Sequence, residues 1–201
     1  EGDEYLSSPI DRRPKFHLYK PHIALLSGIS WDHINVFPTF EQYLKQFELF
    51  IHKIEDGGYL TYCYEDESLN IISSINPEIE TEPYKLPSYK IDGGKSIILH
   101  ENGKTKLEIF GTHNLYNMMG ALNICKKLGV SEYNFFQALK SFKGASLRME
   151  KVFEREGLLL FKDFAHSPSK VKATVNAVRK QFSDYKVIAA LELHTFSSLN
   201  K

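Results

Sequence analysis

Two carboxamide side chains, Asn114 and Asn117, open a segment whose apolar residues recur at helical spacing over residues 113–128. A separation of three residues places both amides on one helix face. An Asn amide offers one acceptor and two donors, which complement the N6 amino group and N7 of adenine. The alternative is a glycine turn at Gly111 whose Asn residues cap the helix. The pattern therefore predicts either an adenine-reading site or a capped helix start.

Carboxylates and a histidine near the start of the chain are candidate metal ligands. Glu1, Asp3 and Glu4 form an acidic cluster, and carboxylates are suitable ligands for Mg2+. Most acidic clusters, however, are solvated surface runs. His33 follows an apolar run over residues 22–29 that is typical of a buried parallel strand. Imidazole is an unusual Mg2+ ligand, so the residues alone favour a turn histidine at this position.

Two further charged residues stand where ligands commonly meet α/β domains. Arg148 follows a small-residue linker at Gly144, and a planar guanidinium there can close onto a phosphate. The alternative is a surface Arg148 paired with Glu150. Asp163 ends an apolar strand-like run over residues 158–164, where carboxylates often meet ligand hydroxyls.

These segments, in this order, resemble the Mur ligases, the ATP-dependent enzymes that join amino acids or peptides to UDP-N-acetylmuramate. The resemblance implies a parallel-sheet fold, ATP as co-substrate and Mg2+ as cofactor. It assigns roles as follows: Glu1 and His33 to Mg2+, Asn114 and Asn117 to adenine, Arg148 to phosphate, Asp163 to the ribose side, His166 to support beside it, and His194, Thr195 and Ser197 to the amine substrate. Ser30 and Asn35 replace acidic residues that are common in the family, so the metal shell is expected to differ.

The implied reaction converts the muramoyl carboxylate to an acyl phosphate, which the incoming amine attacks. Tyr5 and the run over residues 11–16 resemble the family branch of murein peptide ligases, which attach L-alanyl-γ-D-glutamyl-meso-diaminopimelate in peptidoglycan recycling. The alternatives are the L-alanine-adding branch of peptidoglycan synthesis, which usually has Ser at the place of Tyr5, and a non-catalytic ATP-binding module. The expected partners are UDP-N-acetylmuramate and a peptide or amino-acid amine.

A glycine-rich stretch at residues 93–96 ends like a phosphate-binding loop, but Tyr89 stands where that pattern requires Gly. In a Mur ligase the Gly-Lys-Thr loop precedes the segment that begins at Glu1. We therefore expect the catalytic lysine to lie before this chain, which would then be part of a larger protein and inactive by itself.

The strand, helix, strand pattern over residues 22–64 predicts an α/β fold. We expect residues 1–145 to be an incomplete central ATP-binding domain of P-loop type with a parallel sheet, and residues 146–201 to begin a Rossmann-like C-terminal domain. Residues 78–108 are expected to form a peripheral β insertion with a hairpin at Asn102. Helices are predicted over residues 132–142 and 168–182, and a strand over residues 186–193.

The bulk composition excludes several function classes. The 201 residues have a formal net charge of zero and a pI near 7.3, so no global field favours nucleic acid or an anionic membrane. Cys63 and Cys125 lack the spacing of a disulfide framework, and no apolar run is long enough to span a bilayer. We therefore expect no nucleic-acid or membrane partner and a cytoplasmic location.

Overall fold

The computed structural model describes residues 2–31, 34–166 and 168–192. The chain divides into two compact units. The first comprises the described residues up to Lys85 together with Met119–Leu128. The second comprises Leu86–Met118 and the described residues from Gly129 onward. The predicted domain boundary after Ala145 lies at a different position and stays a prediction.

A parallel sheet forms the centre of the first unit. Its strands are β1 (Ile23–Leu26), β2 (Tyr59–Cys63) and β3 (Glu80–Tyr84), hydrogen-bonded in that order. All five residues of β2 are buried, as expected for a central strand covered on both faces. The predicted α/β class with a parallel sheet is confirmed. The predicted β insertion begins later than expected, because Glu80–Tyr84 pairs with β2 and belongs to this sheet.

Two helices accompany the sheet in the first unit. Helix α1 (Phe40–Ile51) is capped at its start, since the Thr39 side chain accepts a hydrogen bond from the Gln42 amide at 3.3 Å. Aromatic residues at helical spacing bury one face of α1. Helix α2 (Glu67–Ile72) was not predicted, because six residues are too few to show a clear period. A short 3-10 helix, Lys15–Leu18, precedes β1.

The second unit contains an antiparallel meander of β4 (Tyr89–Asp92), β5 (Lys95–His100) and β6 (Gly103–Leu107). The predicted hairpin at Asn102 is confirmed between β5 and β6. Gly93 and Gly94 have φ values of +55° and +69° and form the tight turn between β4 and β5. The glycine-rich stretch is therefore a hairpin turn and not a phosphate loop.

Helix α3 (Thr112–Lys127) contributes residues to both units, and α4 (Glu132–Leu139) follows it. The antiparallel pair β7 (Glu150–Arg155) and β8 (Leu158–Lys162) leads to α5 (Pro168–Gln181), which begins at the proline predicted to start it. The strand predicted over residues 186–193 is wrong for the described residues 186–192, which are irregular. No described strand pairs with this segment, because the described sheets consist of β1-β2-β3, β4-β5-β6 and β7-β8. No helix in the described part of the chain is both long and apolar enough to cross a membrane.

Gly120 on α3 lies in close contact with the sheet of the first unit. A Cβ added there would stand 2.4 Å from the Leu25 Cδ1 atom and 3.0 Å from the Tyr84 Cε1 atom. We expect Gly120→Ala to destabilise the protein, because overpacking costs about 1 to 3 kcal/mol and the better helix propensity of Ala offsets only about 1 kcal/mol. Urea unfolding measures the change. Adding Gly120→Ala to a Leu25→Ala background should cost less, since the nearest clashing atom is gone; an equal cost in both backgrounds would contradict this contact.

Candidate functional site

The start of α3 is fixed by a close approach at Gly111. This residue has φ +90°, and a Cβ there would lie 2.8 Å from the Ala177 Cβ atom and 2.9 Å from the His113 Cε1 atom. A side chain at this position would be strained by both the backbone and its neighbours. Glycine thus brings the start of α3 against α5 within the second unit.

Both predicted adenine-reading amides lie on the first turns of α3, but they differ in their surroundings. The half-buried Asn114 side chain donates a hydrogen bond from Nδ2 to the Phe110 carbonyl oxygen at 2.8 Å. The side chain thus donates to a backbone carbonyl four residues earlier, whereas an N-cap side chain accepts a backbone N–H, so the capping alternative stays a prediction. Asn117 is exposed. Of the two amides, Asn117 is therefore the one whose hydrogen-bonding groups face solvent.

His113 is a half-buried residue to which the sequence assigned no separate role. Its Nδ1 atom is shielded from solvent and has no hydrogen-bond partner among the described residues. Burial lowers the pKa of His113; the nearby Asp163 carboxylate opposes this shift and the Arg148 guanidinium adds to it. His113 thus lies in the electrostatic field of two predicted site residues, Arg148 and Asp163, and these three are brought together in the second unit.

The Asp163 carboxylate is the anchor of this region. Its Oδ2 atom accepts the Met149 amide at 2.7 Å. Its Oδ1 atom accepts the Ala165 amide at 2.8 Å and the Thr174 hydroxyl at 3.1 Å. A carboxylate has about four lone-pair sites, so three protein donors leave room for about one more. The Asp163 carboxylate can therefore accept one hydrogen bond from a ribose hydroxyl while it keeps its bonds to the surrounding chain.

Arg148 is exposed and stands between two residues with unusual backbone conformations. Leu147 and Met149 have φ values of +56° and +53°, which cost non-glycine residues on the order of 1 kcal/mol or more each. The Leu147 amide donates to the Glu150 Oε2 atom at 2.9 Å, and the Leu147 carbonyl accepts the Phe164 amide at 2.9 Å. The alternative ion pair between Arg148 and Glu150 is absent from the described structure, because the Glu150 carboxylate binds backbone instead.

His166 lies close to Asp163 along the chain and is tied to its own loop. Its Nδ1 atom lies 2.9 Å from the Phe164 carbonyl oxygen, which can only accept, and its ring meets the Phe164 ring edge to face at 5.0 Å. The support role predicted for His166 stays a prediction.

The predicted metal residues Glu1 and His33 lie outside the described residues, as do the predicted substrate residues His194, Thr195 and Ser197. The neighbours of Glu1 have structural contacts: Asp3 forms an ion pair with Lys15 at 2.7 Å, and Glu4 accepts the Tyr43 hydroxyl at 3.2 Å. Across residues 2–31, 34–166 and 168–192, no group of three or more His, Cys, Asp or Glu side chains is arranged to hold a metal ion. The Mg2+ assignments stay predictions.

An open pocket of about 1110 Å³ lies in the second unit. Its floor is aromatic, with Phe110, Phe161 and Phe182 in mutual ring contact at 5.2 to 5.5 Å. Lysines and carboxylates also line it. None of the five predicted nucleotide residues lines this pocket, although the linker at Gly144 and Glu150 does. Arg148 therefore shares the linker with the pocket lining but does not line the pocket itself.

Comparison with known proteins identifies the family. The profile of the Mur ligase middle domain matches residues 6–125, more than half of the chain. The chain belongs to the Mur ligase family. It is 34% identical to the UDP-N-acetylmuramate–L-alanine ligase of Caldicellulosiruptor bescii over 99% of this chain and 45% of that protein. The corresponding ligase of Desulfitobacterium hafniense is 26% identical, over 100% of this chain and 47% of that protein.

Solved structures show the same fold. A murein peptide ligase from Psychrobacter arcticus superposes with a TM-score of 0.63 at 24% identity, over 92% of this chain and 40% of that one. The UDP-N-acetylmuramate–alanine ligase MurC from Thermotoga maritima gives a TM-score of 0.65 at 18% identity, over 83% and 40%. At this identity the likeness concerns the fold alone. This chain spans about half the length of the curated relatives it matches.

Sequence reasoning missed His113 and Glu150 as members of the site. His113 belongs to the quoted motif, and its place directly before Asn114 was the one available signal. Glu150 was considered only as a partner for Arg148, because the turn that brings its carboxylate to the Leu147 amide depends on positive φ values at residues other than glycine.

The half-buried His113 predicts a pH dependence of stability. Its pKa lies below the ordinary value of 6.5 in the folded state, so the unfolded state binds the proton first as pH falls. The stabilising contribution is complete above about pH 6.5 and is lost as pH falls toward the folded pKa, by at most about 1.4 kcal/mol per pH unit. His113→Gln should flatten the decline of unfolding free energy between about pH 7 and pH 5.

His17 provides a matched control in the first unit, since burial also lowers its pKa. His17→Gln should remove a separate share of the same decline, and the double variant should lose both shares. A His113→Gln profile parallel to the parent profile would contradict this account of His113.

Proposed function

We propose that this chain is part of an ATP-dependent ligase that joins L-alanine to UDP-N-acetylmuramate in peptidoglycan synthesis. The carrying observation is the 34% identity to an L-alanine ligase across 99% of the chain. The L-alanine-adding branch was an alternative in the sequence analysis, which favoured the murein peptide ligases. We now propose the L-alanine-adding activity instead. We place the enzyme in the cytoplasm, where UDP-linked precursors and ATP are available, without nucleic-acid or membrane partners.

The described residues of the second unit fit a nucleotide. The exposed Asn117 amide supplies the donor and acceptor pair for adenine, and Asn114 beside it supports the helix start. The exposed Arg148 guanidinium supplies a cation for phosphate oxygens. Asp163 retains capacity for about one ribose hydroxyl. His166 stands on the loop that follows Asp163, and we assign it the role of supporting Asp163. Glu1 and His33 would hold Mg2+, an assignment carried by the family resemblance.

The proposed reaction proceeds in two steps. A muramoyl carboxylate oxygen attacks the γ-phosphorus of ATP, and ADP leaves. The alanine amine then attacks the acyl carbon, and inorganic phosphate leaves as the amide forms. Mg2+, when bound, neutralises charge on the transferring phosphoryl group. Arg148 stabilises negative charge on the phosphates, while the α3 amides hold the base so that the γ-phosphate has a fixed position.

The tripeptide ligase remains the second candidate, because the run over residues 11–16 carried that expectation. Within this run Arg13 and Asp11 form a bidentate pair, with Nη2–Oδ2 at 2.7 Å and Nε–Oδ1 at 2.9 Å. The hydrogen bonds from Arg13 lower the pKa of Asp11 to about 2. These two charges satisfy each other inside one exposed loop. That pairing supports a local structural role for the run and weakens the case for a peptide-carboxylate pocket there.

Substrate choice is tested by phosphate release from the full-length protein supplied with ATP, Mg2+ and UDP-N-acetylmuramate. We expect a higher kcat/KM with L-alanine than with L-alanyl-γ-D-glutamyl-meso-diaminopimelate. A preference for the tripeptide would return the protein to the murein peptide ligase branch. Phosphate release with neither amine would favour a module that binds ATP without turning it over.

Nucleotide choice tests the adenine assignment. Asn117→Ala should weaken ATP binding by about 1 to 3 kcal/mol, the scale of one bidentate base contact, and GTP should gain relative to ATP. Isothermal titration of the full-length protein with each nucleotide measures both changes. Asn134→Ala, which truncates an exposed amide on α4, is the matched control and should leave both affinities unchanged. ATP and GTP affinities that stay at the parent values in Asn117→Ala would return Asn117 to a surface role.

A further inference from the structure

Arg148 is held by a compact network whose members the family resemblance does not assign. Glu150 is the first residue of β7, and its backbone position is fixed by pairing with Lys162 of β8. From there its Oε2 atom reaches back to the Leu147 amide at 2.9 Å and the Ser146 hydroxyl at 3.4 Å. One carboxylate oxygen thus gathers two donors from the turn that precedes Arg148.

The residue after Arg148 is held by a second carboxylate. Asp163 accepts the Met149 amide at 2.7 Å, and Met149 is buried against Phe110 and Ala177. Leu147 and Met149 both adopt the left-handed backbone region, with φ of +56° and +53°. Two non-glycine residues in this region, one on each side of a single cation, persist only where the surroundings fix them. Those surroundings are the two carboxylates, together with the Phe164 amide that donates to the Leu147 carbonyl.

We propose that Glu150 is a positioning residue that holds Arg148 in place for binding of the ATP phosphates. This inference rests on the proposed function, because it requires Arg148 to contact phosphate. Glu150 acts on the backbone of Leu147 and not on the guanidinium, so its carboxylate leaves the positive charge of Arg148 available. An ion pair between the two side chains would instead neutralise that charge.

The position of Glu150 also separates its role from that of Asp163. Asp163 joins the Arg148 segment, its own loop and α5, so its removal would disturb several elements at once. Glu150 contacts only the turn beside Arg148 in the described hydrogen-bond network. Truncating Glu150 therefore loosens the Leu147 side of Arg148, where the bond from the Phe164 amide remains, while the Met149 anchor stays intact.

A double-mutant cycle on the full-length protein tests this proposal, with ATP affinity measured by isothermal titration. Arg148→Ala should weaken ATP binding about 10- to 100-fold, the scale of a lost charge-assisted contact. Glu150→Ala should lower the fraction of molecules in which the Arg148 segment has its phosphate-binding conformation. If that fraction falls to about a tenth, ATP affinity falls about tenfold. In the double variant the loss should equal that of Arg148→Ala alone, because Glu150 acts only through Arg148. Adenosine, which lacks phosphates, should bind the parent and Glu150→Ala equally.

Three further variants separate positioning from general damage. Glu154→Ala truncates another carboxylate on β7, one paired with Lys151, and should leave ATP affinity unchanged. Leu147→Val leaves Glu150 intact but places a β-branched residue at φ +56°, so it should weaken ATP binding as Glu150→Ala does. Leu147→Asn, which tolerates this backbone region, should bind ATP as the parent does. These two variants also carry the test if Glu150→Ala fails to fold.

Different results would contradict the positioning role of Glu150 and the phosphate role of Arg148. If Arg148→Ala weakens ATP binding while Glu150→Ala and Leu147→Val do not, the positioning role is wrong and the phosphate role of Arg148 stands. Losses that multiply in the double variant would likewise show that Glu150 acts independently of Arg148. If Arg148→Ala leaves ATP affinity unchanged, the phosphate role in the proposed function fails, and the positioning role fails with it.

Discussion

The second unit depends on one carboxylate, Asp163, which accepts donors from three segments. These are the Met149 amide after the linker, the Ala165 amide in its own loop and the Thr174 hydroxyl on α5. Met149 is buried, so its amide would be left without a partner if the carboxylate were removed, at a cost of about 1 to 3 kcal/mol. The end of β8, the turn at Arg148 and the first half of α5 therefore keep their relation through this side chain.

The same contacts limit what Asp163 can do for a ligand. Family resemblance assigns it to the ribose side of ATP, and the count of lone pairs permits about one such hydrogen bond. A carboxylate that is already oriented by three protein donors meets a ligand hydroxyl without having to be ordered first, which lowers the entropic cost of binding. Its structural role and its proposed ligand role are therefore compatible, and the first serves the second.

The sequence predicted regular elements well where periodicity was long or burial complete. The strand, helix, strand order predicted over residues 22–64 matches β1, α1 and β2, because the apolar residues there follow a clear pattern. Strand β3 was missed because Glu80, Glu82 and Pro83 resemble a loop; its only described partner is β2, and proline is tolerated at such an edge. The segment over residues 186–192 shows the opposite error. Its apolar run is strand-like, but a strand requires a neighbouring strand as well as a pattern.

For the candidate site, the sequence predicted residue types and left geometry open. Arg148, Asp163 and the α3 amides became candidates because their chemistry suits a nucleotide and because their segments resemble those of the Mur ligases. The left-handed conformations of Leu147 and Met149 were not, since neither residue is glycine and the signal lies in tertiary hydrogen bonds. A hydrogen-bond partner that acts on backbone leaves little trace in a sequence.

The linker before Arg148 contains two residues with positive φ, Gly144 and Leu147, which differ in the cost of that conformation. Gly144 has φ +95° and adopts it without steric cost, with the Ile109 Cγ2 atom 3.3 Å from where a Cβ would stand. Three residues later Leu147 takes a left-handed conformation that does carry a cost, and Glu150 fixes it. Glycine at position 147 would remove that cost but also admit other conformations, so the cation that follows would lose its fixed direction. Leucine held by a carboxylate favours one conformation of the segment, and the proposed phosphate contact of Arg148 would gain from this because less ordering would remain on binding.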